Sequence, residues 1–500
     1  YLLQGQILFF YSCIYIFIFY FISLYRNISI SGYDGKMQSK ENLGSIREFL
    51  NQSNVDYVKV AITDIDGVLR GKYMHKDKFL KACESGFGFC DVIFGWDSND
   101  DLYELENLWY EPLTGWHSGF PDAKVKIILD SKRSIPFENN VPLFLAQLDQ
   151  EEVCPRGLLE KTLNRLTQNN LKAKASLEYE FFLFNEDPHT VRKKKFQNLS
   201  SFTPGMFGYS ILRSSVHSKL YEDILNMCLE MDMKLEGLHT ETGPGVLEAA
   251  IEVDEAMLAA DKASIFKTFM KVLAQRNNLM ATFMAKWSNK YPGQSGHIHC
   301  SLVNESNEPI FGSKEQGPSE IMNHFLGGLQ RYLPEFTLML APTINSYKRL
   351  TPGAWAPTSY TWGKENRTTG IRAILGSPFS QRIENRVGGA DSNPYLALAA
   401  TLGAGILGIE NKIIPLDEFK GNAYEAKIDK TLRTPKSLRQ ASDVFKSSEA
   451  AKEVFGTQFV NHFSMSRDWE NSQYENQRKL FEKNSAEISQ WELKRYFEII

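Results

Sequence analysis

The sequence predicts a mixed α+β protein with a small N-terminal sheet domain and a larger C-terminal domain. Its 500 residues are too many for one ordinary hydrophobic core. Short runs rich in β-branched and aromatic residues alternate with stretches of helical apolar spacing. We place the smaller domain at residues 50–148 and the larger at residues 152–500, with the boundary before the helical pattern that begins at Pro155.

Composition narrows the class of protein. A hydrophobic fraction of 43% and a charged fraction of 23% are typical of a globular protein, and the net charge of -4 argues against a general nucleic-acid binder. The six cysteines lie far apart without a Cys-x-x-Cys pair. This spacing favours reduced thiols in a cytoplasmic protein over a disulfide framework or a zinc site.

Residues 1–36 differ from the rest of the chain. Ile7–Tyr25 is an uncharged run of 19 residues, mainly Phe, Tyr and Ile, which is long enough to cross a bilayer as a helix. The first methionine is Met37, where an ordinary polar sequence begins. We expect residues 1–36 to be either a membrane anchor or an extension foreign to the fold; no basic segment precedes the apolar run, as it would in a signal peptide.

The N-terminal domain begins with a predicted helix at Leu43–Leu50 and a β-hairpin at Tyr57–Met74, whose turn is Asp64–Gly67. Phe87–Asp101 predicts a strand that leads into an acidic, flexible loop, and Val125–Asp130 predicts another strand. These segments together predict a small mixed sheet with one long loop. The loop is either merely solvated or acts as a lid or an arm that reaches a neighbour's cleft.

The larger domain begins with a helix from Pro155 and then a strand that carries two carboxylates. Leu177–Phe184 has the apolar and aromatic composition of a strand, and alternate residues share a face, so Glu178 and Glu180 would point the same way. Two like charges on a mostly buried strand are unfavourable unless a positive group lies beside them. A divalent metal ion is the simplest such group; the alternative is an edge strand with one solvated face.

Two further pairs of ligand-type residues follow. Glu241 and Glu248 flank a Gly-Pro-Gly turn, which lets both carboxylates approach one point from adjacent strands. His297 and His299 stand at i and i+2 after a glycine-rich turn and would share one face of a strand. A set dominated by carboxylates, with only one or two imidazoles, favours Mg²⁺ or Mn²⁺ over zinc.

Helices and basic residues fill the remainder of the chain. Helical spacing predicts helices at Ser218–Met231, Met257–Asn277 and Pro394–Lys412, and a helical scaffold over residues 436–500. Guanidinium groups bind phosphate and carboxylate oxygens in bidentate fashion, and several lie among Gly and Pro turns: Arg349, Arg367, Arg372, Arg382 and Arg386. The chain has no Gly-x-x-x-x-Gly-Lys-Ser/Thr sequence, which excludes an ordinary P-loop ATPase. Glu384 either supplies another ligand or forms an ion pair with the arginines beside it.

Taken together, these motifs resemble the catalytic domain of the glutamine synthetase superfamily over about residues 55–490. The motifs that carry the resemblance are Glu178-Tyr-Glu180, Glu241 with Glu248, His297-Ile-His299, Asn345-Ser-Tyr-Lys-Arg349, Glu365-Asn-Arg367 with Arg372, Arg382-Ile-Glu384-Asn-Arg386 and Ala390-Asp-Ser-Asn-Pro-Tyr395. The resemblance implies an N-terminal β-grasp domain and a C-terminal α/β domain with a funnel-shaped, largely antiparallel sheet. It also implies ring-shaped decamers or dodecamers with active sites between neighbouring subunits.

The resemblance also implies roles for the metal-binding side chains and a reaction. Ligands of a first metal ion would be Glu180, Glu241 and Glu248, and ligands of a second would be Glu178, His297 and Glu384. The implied reaction is an ATP-dependent ligation, in which the γ-carboxylate of glutamate takes the γ-phosphoryl group of ATP and an amine or ammonia then displaces phosphate.

Arginines and one glycine would bind the substrates. By the same resemblance, Gly293, Arg349 and Arg386 match residues that hold glutamate. The nucleotide phosphates would face Arg367, Arg372 and Arg382. Of these residues, Arg349, Arg367 and Arg382 are the expected catalytic groups, which stabilise the transferred charge.

One position departs from the pattern of ammonia-using members. Where they carry glutamate in a Pro-Gly-x-Glu-Ala-Pro segment, this chain has Trp355 in Pro352-Gly-Ala-Trp-Ala-Pro357. The change resembles that in γ-glutamyl-polyamine and other γ-glutamyl-amine ligases, where an aromatic site receives an alkylamine through apolar and cation-π contacts. Ammonia remains a permitted acceptor, and Asp97 or a neighbour is a candidate counter-ion for the amine.

Two other interpretations share part of the pattern. One is a non-catalytic structural relative, similar to the lens protein lengsin. Retention of all the candidate ligands and arginines favours an enzyme instead, because unpaired buried carboxylates destabilise a fold that binds no metal. The other is an enzyme similar to glutamate-cysteine ligases, against which the complete Asn-Ser-Tyr-Lys-Arg and Arg-Ile-Glu-Asn-Arg motifs argue.

Overall fold

The computed structural model describes residues 43–53, 55–149, 152–312, 317–481 and 487–500. The expected anchor or extension at residues 1–36 lies outside these ranges. Within them, no helix combines the length and the apolar character that crossing a bilayer requires.

A six-stranded sheet organises the N-terminal part of the chain. Its strands are β1 (Tyr57–Thr63), β2 (Leu69–His75), β3 (Phe87–Cys90), β4 (Asp122–Ile127), β5 (Arg133–Ile135) and β6 (Val141–Leu148). They lie in the order β2-β1-β6-β4-β3, with β5 beside β6. The predicted hairpin is confirmed, since β1 and β2 pair antiparallel from Tyr57 opposite His75 to Thr63 opposite Leu69.

Two helices accompany this sheet, α1 (residues 43–52) and α2 (Lys76–Ser85). The predicted helix at Leu43–Leu50 is therefore confirmed. Phe79 of α2 is fully buried and packs against Phe144 of β6, with ring centroids 4.6 Å apart. Apolar contact of this kind holds the helix on the sheet.

A nine-stranded sheet forms the framework of the larger part. Its strands are β7 (Leu171–Phe184), β8 (Leu235–Thr240), β9 (Val246–Ile251), β10 (Asp254–Glu255), β11 (Met280–Thr282), β12 (Gly296–Asn304), β13 (Trp362–Lys364), β14 (Ile371–Ile374) and β15 (Arg382–Asn385). The order is β13-β14-β15-β12-β7-β9-β8, and β10 and β11 also pair with β7. Every pair except the parallel β13 and β14 is antiparallel, which agrees with the predicted α+β class and antiparallel-rich sheet.

Strand β7 lies in the middle of this sheet. It pairs with β12 on one side and with β9 on the other, so the interpretation as a solvated edge strand is wrong. The ring of Tyr179 lies 6.4 Å from that of Phe266, and the ring of Phe181 lies 6.1 Å from it, both measured between centroids. Because side chains alternate along a strand, this apolar face leaves Glu178 and Glu180 on the opposite face.

Helices cover the apolar faces of both sheets. They are α3 (Pro155–Gln168), α4 (Pro188–Lys193), α5 (Ile211–Val216), α6 (Ser218–Glu230), α7 (Ala256–Arg276), α8 (Glu320–Leu340), α9 (Ser346–Arg349), α10 (Pro394–Glu410), α11 (Leu438–Ser447), α12 (Glu449–Phe455), α13 (Thr457–Phe481) and α14 (Gln490–Tyr496). The predicted helices after residues 155, 218, 257 and 394 are confirmed. Helices α8 and α10 approach closely: a Cβ atom on Gly408 would lie 2.2 Å from the carbonyl oxygen of His324.

One hydrophobic core cluster contains residues from both sheets, including Val60 and Phe144 of the first and Leu177 and Phe181 of the second. Apolar contact is therefore continuous from one sheet to the other. The division into domains at residues 148 and 152 stays a prediction.

The acidic loop after β3 is not the flexible tip that the sequence predicts. Asp97 is 1% exposed, accepts a hydrogen bond of 2.8 Å from the indole nitrogen of Trp469, and forms an ion pair with Arg495. Arg495 also pairs with Glu470 at 2.7 Å. The loop is thus fastened to helices α13 and α14, and within this chain Asp97 is already paired and does not serve as a free counter-ion for an amine.

Candidate active site

Acidic and imidazole side chains form adjacent rows on one face of the nine-stranded sheet. Glu178 of β7 lies directly opposite His297 of β12, and Glu180 lies opposite Glu248 of β9. On the other side of β12, His299 lies opposite Glu384 of β15. This register places residues from four strands within reach of each other, as the spacing of Glu178 with Glu180 and of His297 with His299 predicts.

The first group of ligand atoms comes from Glu180, Glu241 and Glu248. One carboxylate oxygen from each lies within 4.8 Å of the others. The turn between β8 and β9 makes this approach possible, because Gly245 has φ +76° and a Cβ atom there would lie 2.6 Å from the carbonyl oxygen of Leu183. Burial and the charge of Glu248 raise the pKa of Glu180 to about 7.

The second group comes from Glu178, His299 and Glu384, whose ligand atoms also lie within 4.8 Å of one another. His297 belongs to the same cluster, with its Nδ1 3.3 Å from Glu178 and 3.5 Å from Glu384. Burial alone raises the pKa of Glu384, but His297 and Arg386 outweigh burial and lower that pKa to about 2. The sequence predicts His297 as the ligand; the structure brings both imidazoles to this point.

The donor set fits a pair of hard divalent cations. Three carboxylates converge in the first group, and among the described residues no lysine or arginine forms an ion pair with any of them, which is unfavourable unless a cation is bound. In the second group, the buried Nε2 of His297 has no hydrogen-bond partner among the described residues. Burial and the nearby Arg386 lower the pKa of His297, which favours the neutral imidazole that binds metal.

Arginines surround the two groups. Arg349 is 2% exposed, and burial lowers its pKa to about 10; its guanidinium donates to the carbonyl oxygens of Val387, at 2.8 Å, and of Arg386. One carboxylate oxygen of Glu384 forms an ion pair with Arg386, and the other accepts a hydrogen bond of 2.9 Å from Arg372. Glu384 is therefore both an ion-pair partner of two arginines and a member of the second group of ligand atoms.

One cavity of about 550 Å³ unites most of the predicted site residues. Lining it are all six predicted metal ligands, namely Glu178, Glu180, Glu241, Glu248, His297 and Glu384, and the predicted substrate residues Gly293, Arg349, Trp355, Arg367, Arg372 and Arg386. Arg382 does not line it. Instead, Arg382 and His299 line a neighbouring cavity of about 220 Å³, which shares Glu178 with the first.

The aromatic side of the large cavity contains Trp355 and Tyr209. Trp355 is 59% exposed and has φ +58°, a left-handed conformation that is unusual for a bulky residue. The ring of Tyr209 lies 4.4 Å from that of His239, whose Nε2 is 3.3 Å from Glu248. Both aromatic residues thus line the cavity, and Tyr209 lies near the first carboxylate group through its contact with His239.

Sequence reasoning missed Tyr209, His239 and Ser295. Ser295 donates from its backbone nitrogen and its hydroxyl to Glu180, each at 2.5 Å. Its position in the Gly-Gln-Ser-Gly turn before His297 is a usable signal, as is the place of His239 two residues before Glu241. Tyr209 follows a polar insertion and has no local signal.

Comparison with known proteins identifies the family. The family model described as "Glutamine synthetase, catalytic domain" matches residues 152–496, which is more than half of the chain. The chain belongs to the glutamine synthetase family. The enzyme class predicted from the motifs, a ligase of this family, is confirmed.

Relatives within the glutamine synthetase family align over nearly the whole chain. The type-1 glutamine synthetase 2 of Dictyostelium discoideum is 40% identical over 480 residues, covering 93% of this chain and 88% of the relative. A glutamate-isopropylamine ligase of a Pseudomonas species is 34% identical and covers 93% of this chain and 99% of its own. Among solved structures, "Apo GmaS without ligand" matches with a TM-score of 0.73 at 24% identity, covering 89% of this chain and 97% of that structure, which supports the fold.

Proposed function

We propose that this protein is an ATP-dependent ligase that joins the γ-carboxylate of L-glutamate to an amine through a γ-glutamyl phosphate. The observation that carries the proposal is the cavity of about 550 Å³ in which both metal-ligand groups face Arg349, Arg367, Arg372 and Arg386. Membership of the glutamine synthetase family supports the reaction class. A relative that is 34% identical over almost its full length is named a glutamate-isopropylamine ligase, which supports an amine acceptor.

The two ligand groups would hold Mg²⁺ or Mn²⁺. Glu180, Glu241 and Glu248 would bind one ion, and Glu178, Glu384 and an imidazole would bind the other. When bound, such ions neutralise charge on the phosphates and on the attacking carboxylate. Ser295 keeps Glu180 in place through its two hydrogen bonds, and His239 contacts Glu248 from the neighbouring strand.

The arginines would bind the two anionic substrates. Arg349 and Arg386 are buried and line the cavity together with Gly293, which suits the carboxylates of glutamate. A Cβ atom at Gly293 would lie 2.6 Å from Cγ of Arg349, so only glycine lets the backbone pack against the aliphatic part of this side chain. Arg367 and Arg372 line the same cavity and Arg382 lines the neighbouring one, an arrangement that suits a triphosphate lying across both.

The proposed reaction proceeds in two steps. A γ-carboxylate oxygen attacks the γ-phosphorus of ATP, the bond to the bridging oxygen breaks, and ADP leaves. The nitrogen lone pair of the amine then attacks the acyl carbon, the bond to the phosphate oxygen breaks, and the nitrogen loses a proton as the amide forms. Preorganised arginines stabilise the charge that spreads over the transferred phosphoryl group, so that no side-chain nucleophile is needed.

The acceptor in this proposal is a small primary amine, with ammonia as a permitted alternative. Trp355 and Tyr209 line the cavity together with the small residues Gly208, Thr242 and Ala354. An alkylammonium ion gains apolar contact and cation-π attraction against such rings, whereas ammonium gains little apolar contact.

We also place the protein in the cytoplasm as a ring-shaped oligomer, a decamer or dodecamer. Five free cysteines among the described residues support a reducing compartment. Exposed apolar side chains at Met206, Phe207, Ile211, Leu212 and Val216 support burial against another subunit.

The test is turnover with an amine panel. ADP release and γ-glutamyl amide formation are measured with ATP, Mg²⁺ and glutamate, and with ammonia, methylamine, ethylamine, isopropylamine, ethanolamine or putrescine as acceptor. We expect both products in equal amounts with at least one amine, and neither product in the Glu384→Gln variant. Absence of ADP and amide with every acceptor would favour the non-catalytic, lengsin-like alternative, and turnover with ammonia alone would remove the role given to Trp355.

A further inference from the structure

A buried carboxylate on helix α14 contacts the short helix that carries Arg349. Glu492 is the third residue of α14 and is 0% exposed, and it is not among the described residues that line the active-site cavity. Helix α9 ends at Arg349, one of the two arginines that the proposed function assigns to glutamate. Glu492 therefore lies outside the site but touches the helix that supports it.

Both carboxylate oxygens of Glu492 have partners at α9. One accepts a hydrogen bond of 3.0 Å from the side-chain amide of Asn345, the residue that precedes the helix. The other forms an ion pair with Lys348, whose side chain is only 10% exposed. This second oxygen also accepts hydrogen bonds of 2.8 Å from the backbone nitrogen and the hydroxyl of Ser489, which fix the carboxylate at the start of α14.

Asn345 connects α9 to the turn that contains Gly293. The side-chain oxygen of Asn345 accepts a hydrogen bond of 2.7 Å from the backbone nitrogen of Lys286, and its amide nitrogen donates one of 2.8 Å to the carbonyl of the same residue. The carbonyl of Ala285 in turn accepts a hydrogen bond of 2.7 Å from the backbone nitrogen of Gln294. One side chain thus joins the start of α9 to both strands of this turn.

Arg349 and Gly293 pack together where the helix meets the turn. A Cβ atom on Gly293 would lie 2.6 Å from Cγ of Arg349 and 2.6 Å from the carbonyl oxygen of Ala285. Because this contact is close, a shift of α9 changes the position of the guanidinium relative to the turn. Arg349 directly follows Lys348, so a displacement of Lys348 also displaces Arg349.

We propose that Glu492 is a positioning residue for glutamate binding, which acts through Asn345 and Lys348 to hold Arg349 at the Gly293 turn. The inference rests on the proposed function, in which Arg349 binds glutamate. A buried ion pair adds little net stability, because desolvation offsets the attraction, but an unpaired partner is strongly unfavourable. The pair of Glu492 with Lys348 therefore restricts α9 to one position more than it stabilises the fold.

Kinetics and calorimetry of the Glu492→Gln variant test the proposal. Glutamine keeps the size of the side chain and one acceptor oxygen, but it removes the charge that pairs with Lys348. We expect the KM for glutamate to rise by about tenfold or more, with little change in kcat, because substrate binding is weakened. The dissociation constant of glutamate, titrated into protein saturated with Mg²⁺ and ADP, should rise by the same factor. The KM for ATP should not change, since the arginines assigned to ATP lie in other segments.

Asp261→Asn is the matched control, because it makes the same chemical change in a buried ion pair elsewhere. Asp261 is 1% exposed and pairs with Arg156 at 2.9 Å. This variant should lower the melting temperature, as Glu492→Gln does, but leave the KM for glutamate unchanged. Adding Lys348→Met to Glu492→Gln should raise that KM no further than the larger of the two single effects, since both changes break one contact.

The outcomes separate this inference from the proposed function. A parent that turns over, combined with an unchanged KM for glutamate in Glu492→Gln, would overturn the inference and leave the proposed function standing. An equal rise of the KM in Asp261→Asn would also overturn the inference, because loss of stability alone would then account for the effect, and so would single effects that multiply in the double variant. A parent that releases no ADP in response to glutamate with any acceptor would overturn both.

Discussion

Replacing Glu248 by Gln is expected to stabilise the metal-free protein and to weaken its response to Mg²⁺. Glu180 and Glu248 lie directly opposite each other on β7 and β9. Burial and then the charge of Glu248 raise the pKa of Glu180 from 4.5 to about 7. A shift of this size corresponds to about 3 kcal/mol, at about 1.4 kcal/mol for each pH unit. Since burial is the larger cause, we assign about 1 kcal/mol to Glu248.

The pH dependence of this effect has a definite sign. A carboxyl group whose pKa is raised in the folded protein destabilises the fold above that pKa and not below its unfolded value. The gain in the free energy of unfolding in Glu248→Gln is therefore expected at pH 8, with Glu180 ionised, and should vanish near pH 4.5. With saturating Mg²⁺ at pH 8, Glu248→Gln is expected to be less stable than the parent, because an amide is a weaker ligand than a carboxylate.

Urea unfolding at pH 8 and pH 5, in EDTA and in Mg²⁺, measures these differences. Glu222→Gln, at an exposed position of α6, is the matched control and should change none of them. Two results would refute the like-charge account of the first ligand group. One is a Glu248→Gln protein that is less stable than the parent in EDTA at pH 8; the other is a gain in stability over the parent that is as large at pH 5 as at pH 8.

Three further predictions concern the acceptor, glutamate and the fastened loop. Trp355→Glu should raise the ratio of kcat/KM for ammonia to kcat/KM for isopropylamine by about tenfold, because cation-π and apolar contacts with the alkylamine are lost. Trp116→Ala, at another exposed tryptophan, should leave this ratio unchanged. An unchanged ratio in Trp355→Glu would contradict the aromatic acceptor site. Arg386→Gln should raise the KM for glutamate by tenfold or more, because a charged donor is removed, and an unaltered KM would exclude it from glutamate binding. Asp97→Ala should destabilise the fold by about 3–5 kcal/mol, because it leaves Arg495 short of one buried partner. Thermal unfolding measures this loss, and the KM for the amine should not change; an altered amine KM at unchanged stability would restore Asp97 as a counter-ion.

Much of the site could be predicted because its geometry is local. A strand has a period of two, so the spacing of Glu178 and Glu180 alone indicates one face, and the structure shows both lining one cavity. The Gly-Pro-Gly turn likewise indicates that Glu241 and Glu248 approach each other. The other site residues are predicted only by the order of the motifs along the chain.

Other features depend on pairings that have no local signature. Asp97 meets Trp469 across a separation of 372 residues, and no pattern in the acidic loop indicates that partner. The composition of the loop therefore predicts a solvated and flexible segment. Similarly, the opposition of His299 and Glu384 depends on the register of β12 with β15, and that register brings a second imidazole to the predicted ligand group.

Transfer of ¹⁸O from glutamate to phosphate tests most directly whether the reaction passes through a γ-glutamyl phosphate. Glutamate labelled with ¹⁸O in its γ-carboxylate is incubated with ATP, Mg²⁺ and the preferred amine, and the released phosphate is analysed by mass spectrometry. Ligation through a γ-glutamyl phosphate predicts one ¹⁸O atom in each phosphate and equal yields of ADP and amide. Unlabelled phosphate released together with ADP would show that water, and not the γ-carboxylate, attacks ATP, and would contradict the account.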